Sequence, residues 1–369
     1  MSSIFGRNFR VSIFGESHGK AIGVVLDGLP SGIRLNMEFI EQEMARRRPG
    51  KNPLSTLRSE SDSFEILSGY FNEATTGTPL CAIIFNSDCA SDDYAPMKSL
   101  LRPGHADYTG FVKYGGFNDY RGGGHFSGRL TAPLVFAGAV AKQALQIDNI
   151  LVGSHVKSIC HVEDESLDSA NIDENTLKEL RNLAIPVLNR DAGEKMAQCI
   201  LDAKNDRDSV GGVVETAVLN LQPGLGSPFF DSMESCLAHI LFSIPAVKGV
   251  EFGEGFNITK MRGSKANDAF IIDENKIKTA TNYNGGILGG ITNGMPVVFR
   301  VAIKPTPSIG IQQQTVDFLK NQETTISVKG RHDPCIVTRA VPVVEAAAAI
   351  VILDLILERY GEAWTNWKN

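Results

Sequence analysis

A chain of 369 residues with 43% hydrophobic and 21% charged residues has ordinary globular composition and can bury a large core. Its formal charge of −6 argues against a general nucleic-acid or membrane-surface binder, so an anionic ligand must be small and held by local basic clusters. The six cysteines form no Cys-x-x-Cys pair and no Cys/His ligand spacing, so neither a metal site nor a disulfide framework is expected, only reduced thiols in a cytoplasmic protein.

The opening residues 1–10 lack an apolar stretch of signal-peptide length, so no export signal is expected. Residues 9–14 and 22–27 read as strands. Between them Gly15-Glu-Ser-His-Gly19 is a tight turn carrying three side chains able to do chemistry, Ser17 and His18 among them. Asn36 is placed to cap a helix whose apolar stripe is Met37, Ile40 and Met44 and whose end is Arg46-Arg-Arg-Pro-Gly50. Compensation of the helix dipole contributes only about 0.3–1 kcal/mol and does not require three arginines, so Arg46, Arg47 and Arg48 read as an anion clamp. Residues 65–71 and 80–85 read as further strands.

The segment 102–131 has little periodicity of either kind and is rich in glycine, with His105, His125, Arg102, Arg121 and Arg129. Glycines 122–124 let backbone N–H groups approach an oxyanion or a flat ring, and Arg121 and Arg129 bracket them with fixed charge. Thr131-Ala-Pro133 starts a helix that is apolar on nearly every side to residue 145, and its N-terminus adds positive charge at the loop.

Residues 161–189, rich in Asp, Glu and Asn, read as a solvated excursion with one helix at 174–183; another helix covers 194–204, and neither offers chemistry. Residues 211–226 echo the strand and turn at 23–32, which suggests an internal duplication. A helix is expected at 229–242 and a strand at 295–303. The glycines at 285, 286, 289 and 290 do not open a helix within a βαβ unit, so a dinucleotide fold is rejected. Lys304-Pro-Thr-Pro-Ser308 suits phosphate oxygens. Arg331-His-Asp333 is either a helix cap or a carboxylate base beside a cation. The apolar run 343–357, broken by Glu345 and Asp354, suits a buried helix and not a membrane span. Short turns between strands favour antiparallel pairing, so the fold is expected to be α+β, with mostly antiparallel sheets as a core and helices outside in a β-α-β sandwich, as one domain over 1–369.

These motifs in this order resemble the chorismate synthase family over nearly the whole chain. The carriers are Gly15–Gly19 with Asp27-Gly-Leu-Pro30, Arg46–Gly50, Arg102-Pro-Gly-His-Ala-Asp107, Asp119-Tyr-Arg-Gly-Gly-Gly124, Ala246–Glu251, Gly285–Gly290, Lys304–Ser308 and Arg331–Pro334. The resemblance implies elimination of phosphate and a ring proton from 5-enolpyruvylshikimate 3-phosphate, with reduced FMN and no net redox change. It implies catalytic roles for His18 as proton source near the departing phosphate, His105 as proton donor to reduced flavin at its pyrimidine edge, and Asp333 as the carboxylate that works with flavin N5 to remove the ring proton. Substrate would be held by Ser17, His18, Arg47, Arg48, Arg102, Arg129 and Arg331. Flavin or its reductant would be held by Arg47, His125, Phe126, Ser127, Pro245, Ala246, Gly289, Lys304, Pro305, Thr306, Pro307, Ser308 and Arg331. The family's habit further implies a homotetramer whose flavin is reduced either by NADPH on the enzyme or by a separate flavin reductase. Where many members read Arg-Ser-Ser-Ala-Arg this chain has His125-Phe-Ser-Gly-Arg129; it also has Asn52-Pro53 in place of an arginine and Pro245 in place of an asparagine. From the residues alone, a flavin oxidoreductase acting on another phosphorylated acid and a non-catalytic anion- or flavin-binding module stay open.

Overall fold

The computed structural model describes residues 3–49, 54, 60–87, 98–328, 333–361 and 364. Asn52, Pro53, Cys89 and Arg331 lie outside the described residues. The first sheet is antiparallel and contains β1 (Ile4–Phe5), β2 (Arg10–Gly15), β3 (Ala21–Asp27), β4 (Phe64–Ser68) and β5 (Leu80–Phe85), in the order β1-β2-β3-β5-β4. Its strands alternate: Ile22, Val24 and Leu26 on β3 and Leu80, Ala82 and Ile84 on β5 are buried on one face. The second sheet, also antiparallel, contains β6 (Leu151–Ile159), β7 (Val162–Glu163), β8 (Gly212–Leu219), β9 (Val247–Phe252) and β10 (Val297–Ile303), in the order β9-β10-β8-β6-β7.

The helices are α1 (Met37–Arg47), α2 (Asp107–Tyr114), α3 (Thr131–Leu145), α4 (Glu174–Leu180), α5 (Arg190–Asn205), α6 (Met233–Ser243), the single turn α7 (Gly263–Ala266) and α8 (Val337–Tyr360). The α+β class and the antiparallel sheets are as expected, but the two most apolar helices lie inside and not outside. α3 packs on the first sheet, α8 on the second, and the two pack on each other. An amphipathic helix would present a polar face there; α3 and α8 are apolar all round, so burial between two sheets is their stable position. Gly138 allows the crossing, because a Cβ there would run into Ala346 of α8. Both helical stretches, 128–148 and 337–360, are long and apolar enough to cross a membrane, and both are almost wholly buried in the fold.

The sheet strands of each half come as three before α1 or α6 and two after it, followed by a long buried helix, with α4 and α5 inserted between the second and third strands of the second half and α2 before the buried helix of the first; this is the path that the echo of 23–32 in 211–226 suggests. The strand orders differ in their first two members, so the halves are not superimposable copies. Asn36 caps α1 as expected, accepting from the Phe39 N–H at 3.1 Å.

Several boundaries differ from expectation. The strand foreseen at 65–71 ends at Ser68, because Gly69, at φ +79°, turns the chain into a separate two-residue ladder. A helix, α2, sits within the supposedly irregular loop, closed by Gly115 in the left-handed conformation. The helix foreseen at 229–242 starts at Met233, capped by Ser232, and leaves Phe229 and Phe230 exposed before it. α4 ends at Leu180, short of the residue 183 foreseen, while α5 runs from 190 to 205, beyond the foreseen 194–204.

The segment after β6 is not simply solvated. His155 of β6 is fully buried on the outer face of the second sheet, with Nδ1 3.1 Å from Asp164 and Nε2 2.8 Å from Glu215. Asp164 also accepts the N–H groups of Leu188 (2.6 Å) and Asn189 (2.9 Å), so one buried carboxylate pins both ends of the excursion to the sheet. Two carboxylates facing both ring nitrogens favour the imidazolium, and although burial opposes it, the hydrogen bonds that the ring donates to Asp164 and Glu215 raise the His155 pKa. A raised pKa gives stability that is complete below the unfolded value of about 6.5 and is lost as pH rises through the folded value. The unfolding midpoint is therefore expected to fall on the alkaline side, and His155→Gln to remove that part of the slope; parallel pH profiles for both proteins would contradict this.

Candidate active site

One cavity of about 840 Å³ opens between the end of the first sheet, the N-terminal ends of α3 and α8, and the edge strand β9. Part of its lining is apolar, with Phe5, Ile13, Ile240 and Phe242 among the residues. The lining also carries six cations, Arg47, Arg102, Arg129, Arg339, Lys248 and Lys304.

Each arginine is set in place by a carboxylate. Arg47, in the last turn of α1, is 2% exposed and pairs with Asp62, to which its Nε donates at 3.2 Å. The same carboxylate accepts from Arg129, which also meets Glu60 at 2.6 Å and donates from Nε to Asn86 at 3.0 Å. Burial works against ionisation of Asp62, but the two guanidinium groups hold its carboxyl below the usual range. Asn86 in turn donates to the carbonyls of Glu16 (3.0 Å) and Gly19 (2.9 Å), which ties the reactive turn of residues 15–19 to this network. Arg102 grips Asp107 with Nε at 2.8 Å and Nη2 at 2.6 Å.

Asp107 also lies 2.7 Å from Nδ1 of His105. Burial opposes its charge, yet the hydrogen bonds from Arg102 and His105 hold it well below the usual carboxylate range, so it is ionised. Arg102 Nη2 lies 3.1 Å from the same Nδ1, so both members of this ion pair meet one ring nitrogen and Nε2 is turned away from them. Gly123 packs against this ring: a Cβ there would stand 3.1 Å from Nε2.

Ser17 and His18 are buried behind the wall and not on it. Ser17 Oγ lies 3.0 Å from His18 Nδ1, and Gly122, at φ +57°, covers the imidazole. A Cβ at Gly122 would stand 2.2 Å from His18 Cε1, too close for any side chain, so the glycine permits the contact between loop and histidine. Asp333 lies just before α8 and pairs with Arg339 of its first turn. Arg339 also donates from Nε to the Arg47 carbonyl at 2.9 Å, joining the Asp333 carboxylate to the end of α1.

Among the other residues foreseen, His125, Phe126, Ser127, Pro245, Ala246, Lys304, Thr306, Pro307 and Ser308 line the cavity. Arg48, Pro305 and Gly289 do not. Arg48 is drawn away by the Ser61 carbonyl at 2.5 Å, Pro305 packs toward Gly211, and Gly289 forms a tight turn between residues 287–288 and 291–292. Arg121 turns back to Asp119 at 2.8 Å and does not face the cavity. His125 lies with Nδ1 2.9 Å from the Gly15 carbonyl and Nε2 3.2 Å from Ser3 Oγ, while Phe126 packs on α2 beside Gly110.

A family model described as chorismate synthase matches residues 9–357. The chain belongs to the chorismate synthase family. Chorismate synthase of Dehalococcoides mccartyi is 47% identical over 357 residues, covering 97% of both chains. That of Pyrococcus abyssi is 48% identical over 355 residues, covering 96% of this chain and 97% of the relative. A crystal structure of chorismate synthase superposes with a TM-score of 0.77 at 31% identity, covering 96% of this chain and 94% of the other. The family's enzymes are carbon–oxygen lyases of the shikimate pathway.

Membership in the chorismate synthase family gives the cavity a substrate class, and the geometry adds residues that sequence reasoning missed. Arg339, Asp62 and Glu60 carry no motif of their own, and the pairing of 62 with both 47 and 129 has no signature in local spacing. Asp107 stood within a quoted motif, at two residues from His105, but only the fold shows it gripping both Arg102 and His105.

Proposed function

We propose that this cavity carries out the family's reaction: anti-1,4-elimination of phosphate and a ring proton from 5-enolpyruvylshikimate 3-phosphate to give chorismate. The observation that carries the proposal is that apolar side chains and four arginines line one cavity of about 840 Å³, room for a flat ring beside a small polyanion. Reduced FMN, when bound, lends electron density to the allylic C–O bond and is returned unchanged. The fit is one of donor chemistry: apolar side chains suited to a flat ring and two lysines suited to a phosphate line the same cavity. His125, Phe126, Ser127, Pro245, Ala246 and the loop 304–308 would hold that cofactor, with Gly289 and Arg331 added by family resemblance alone.

Arg47, Arg102 and Arg129 bind the carboxylates and phosphate, already oriented by Asp62, Glu60 and Asp107 before substrate arrives. Arg48 and Ser17 join them on the resemblance. His105, oriented through Nδ1 by Asp107, donates a proton on the cofactor side of the cavity. His18 supplies a proton toward the leaving phosphate from behind Gly122, and Ser17 orients it. Asp333 takes the ring proton. The working unit is the whole chain as one domain, a homotetramer in the cytoplasm, reduced either by NADPH at the cavity or by a separate flavin reductase.

Anaerobic phosphate release with dithionite-reduced FMN tests the reading, and repeating it with NADPH plus oxidised FMN tells the two electron sources apart. Flavin binding without release would indicate a binding module, and net oxidation or reduction of substrate an oxidoreductase. His105→Ala and His18→Ala are expected to fold and to lose at least about 100-fold in turnover. Parent-like rates for both would refute the assignment.

A further inference from the structure

Among the described residues, four of the six cations around the cavity, the arginines, are paired with carboxylates and the two lysines are not. Among the same residues, Lys304, which follows β10, donates only to the Gly104 carbonyl, at 2.5 Å, and the Lys248 ammonium makes no hydrogen bond or ion pair. Lys248 lines the cavity because of a backbone irregularity. On β9, Val247 pairs with Ile303 and Gly249 with Ala302, so Lys248 is the extra residue of a β-bulge. Regular alternation would send the residue after inward-facing Val247 to the outer face of the sheet; a bulge breaks the alternation and re-aims it. The backbone N–H of Lys304 bonds the Ala246 carbonyl at 2.9 Å, so the two lysines leave the sheet side by side. They sense each other: burial first, and then the Lys248 charge, depresses the Lys304 pKa. Two like charges held together without a counter-charge are destabilising, and a doubly ionised oxyanion between them relieves that. The hydroxyls of Thr306 and Ser308 line the same end.

We propose that Lys248 is a phosphate-binding residue of this cavity, acting with Lys304 on the terminal phosphate of the flavin, and that it makes the site prefer a phosphorylated flavin to one ending in a hydroxyl. The proposal rests on the reading of the cavity as a flavin site. The substrate also carries a phosphate, so the test needs a separate arm for it.

The experiment is a titration of the parent, Lys248→Gln and Lys248→Arg with oxidised FMN and with riboflavin, followed by flavin fluorescence, and with 5-enolpyruvylshikimate 3-phosphate, followed by calorimetry. Lys248 is exposed, so neither variant disturbs the core. Lys248→Gln is expected to bind FMN about tenfold more weakly, riboflavin and substrate as the parent does, and Lys248→Arg to recover most of the loss. An unchanged preference for FMN over riboflavin in Lys248→Gln overturns the assignment, and so does weakening confined to the substrate, which would give the lysine to the other phosphate. If the parent binds neither flavin, the reading of the cavity itself fails.

Discussion

Asp333→Asn is expected to cut single-turnover chorismate formation by about 10²–10⁴-fold, the usual contribution of a positioned proton acceptor. The amide matches the carboxylate in shape and can still accept the hydrogen bond from Arg339, so the local structure before α8 should survive. What it cannot do is take a proton. The side chain is 13% exposed and anchored on one side by Arg339, while Thr306 donates to its backbone carbonyl at 2.8 Å, so loop 304–308 and the base are positioned together. Flavin affinity should therefore stay near that of the parent while the rate collapses. Rapid mixing of reduced-FMN enzyme with substrate under anaerobic conditions reads both, and a rate within about threefold of the parent would remove Asp333 from the chemistry.

Glu345→Gln is expected to lower stability by about 3–5 kcal/mol, the cost of leaving buried charges without their partner. Glu345 of α8 is 2% exposed and accepts from Arg46 at 2.7 and 2.9 Å and from Lys142 of α3 at 2.5 Å. Glu43 of α1 completes the cluster, paired with Lys142, with Arg46 at 2.8 Å and with Arg181 at 3.0 Å. Three cations thus face two carboxylates; the variant leaves three facing one. Replacing Glu345 and Lys142 together by Leu and Met should recover much of the loss, because a buried pair exchanged for apolar groups is often neutral. Urea unfolding of the parent, each single variant and the double variant gives the cycle, and additive losses would show that the two residues do not act as a pair. The pH dependence has a definite sign. Burial opposes ionisation of both carboxyls, but the surrounding cations hold them below the ordinary value, so their contribution is present above the unfolded pKa and is lost as pH falls.

The cluster also marks how far sequence reasoning reached. The Arg46–Arg48 run was legible as an unusual concentration of charge, and the anion-clamp reading suits only one of the three. Arg47 faces the cavity, Arg46 is committed to Glu43 and Glu345 in the core, and Arg48 is held by the Ser61 carbonyl. Successive residues on a helix point about 100° apart, so three neighbours cannot share one ligand. His105 and Asp333 were found as reactive types in unpatterned turns, and both reach the cavity. His18 was found the same way and sits one layer back under Gly122. β6 was missed because Leu-Val-Gly-Ser-His-Val-Lys-Ser-Ile places a glycine, a histidine and a lysine where an apolar alternation would be sought. Its His155 and Gly153 are on the face covered by Asp164 and by Leu177 of α4, partners 9 and 24 residues away that periodicity cannot see.

By itself the sequence determined the kinds of elements and the reactive turns, since strand alternation, the Asn36 cap and the glycine run at 122–124 are properties of neighbouring residues. Only the tertiary structure decided that α3 and α8 go inside the sandwich, that Asp62 serves Arg47 and Arg129 at once, and that a bulge turns Lys248 toward the cavity. Those outcomes depend on which distant surfaces meet and on where each charge finds its counter-charge, and the energy of such contacts is written in separations across space that local spacing along a chain does not encode.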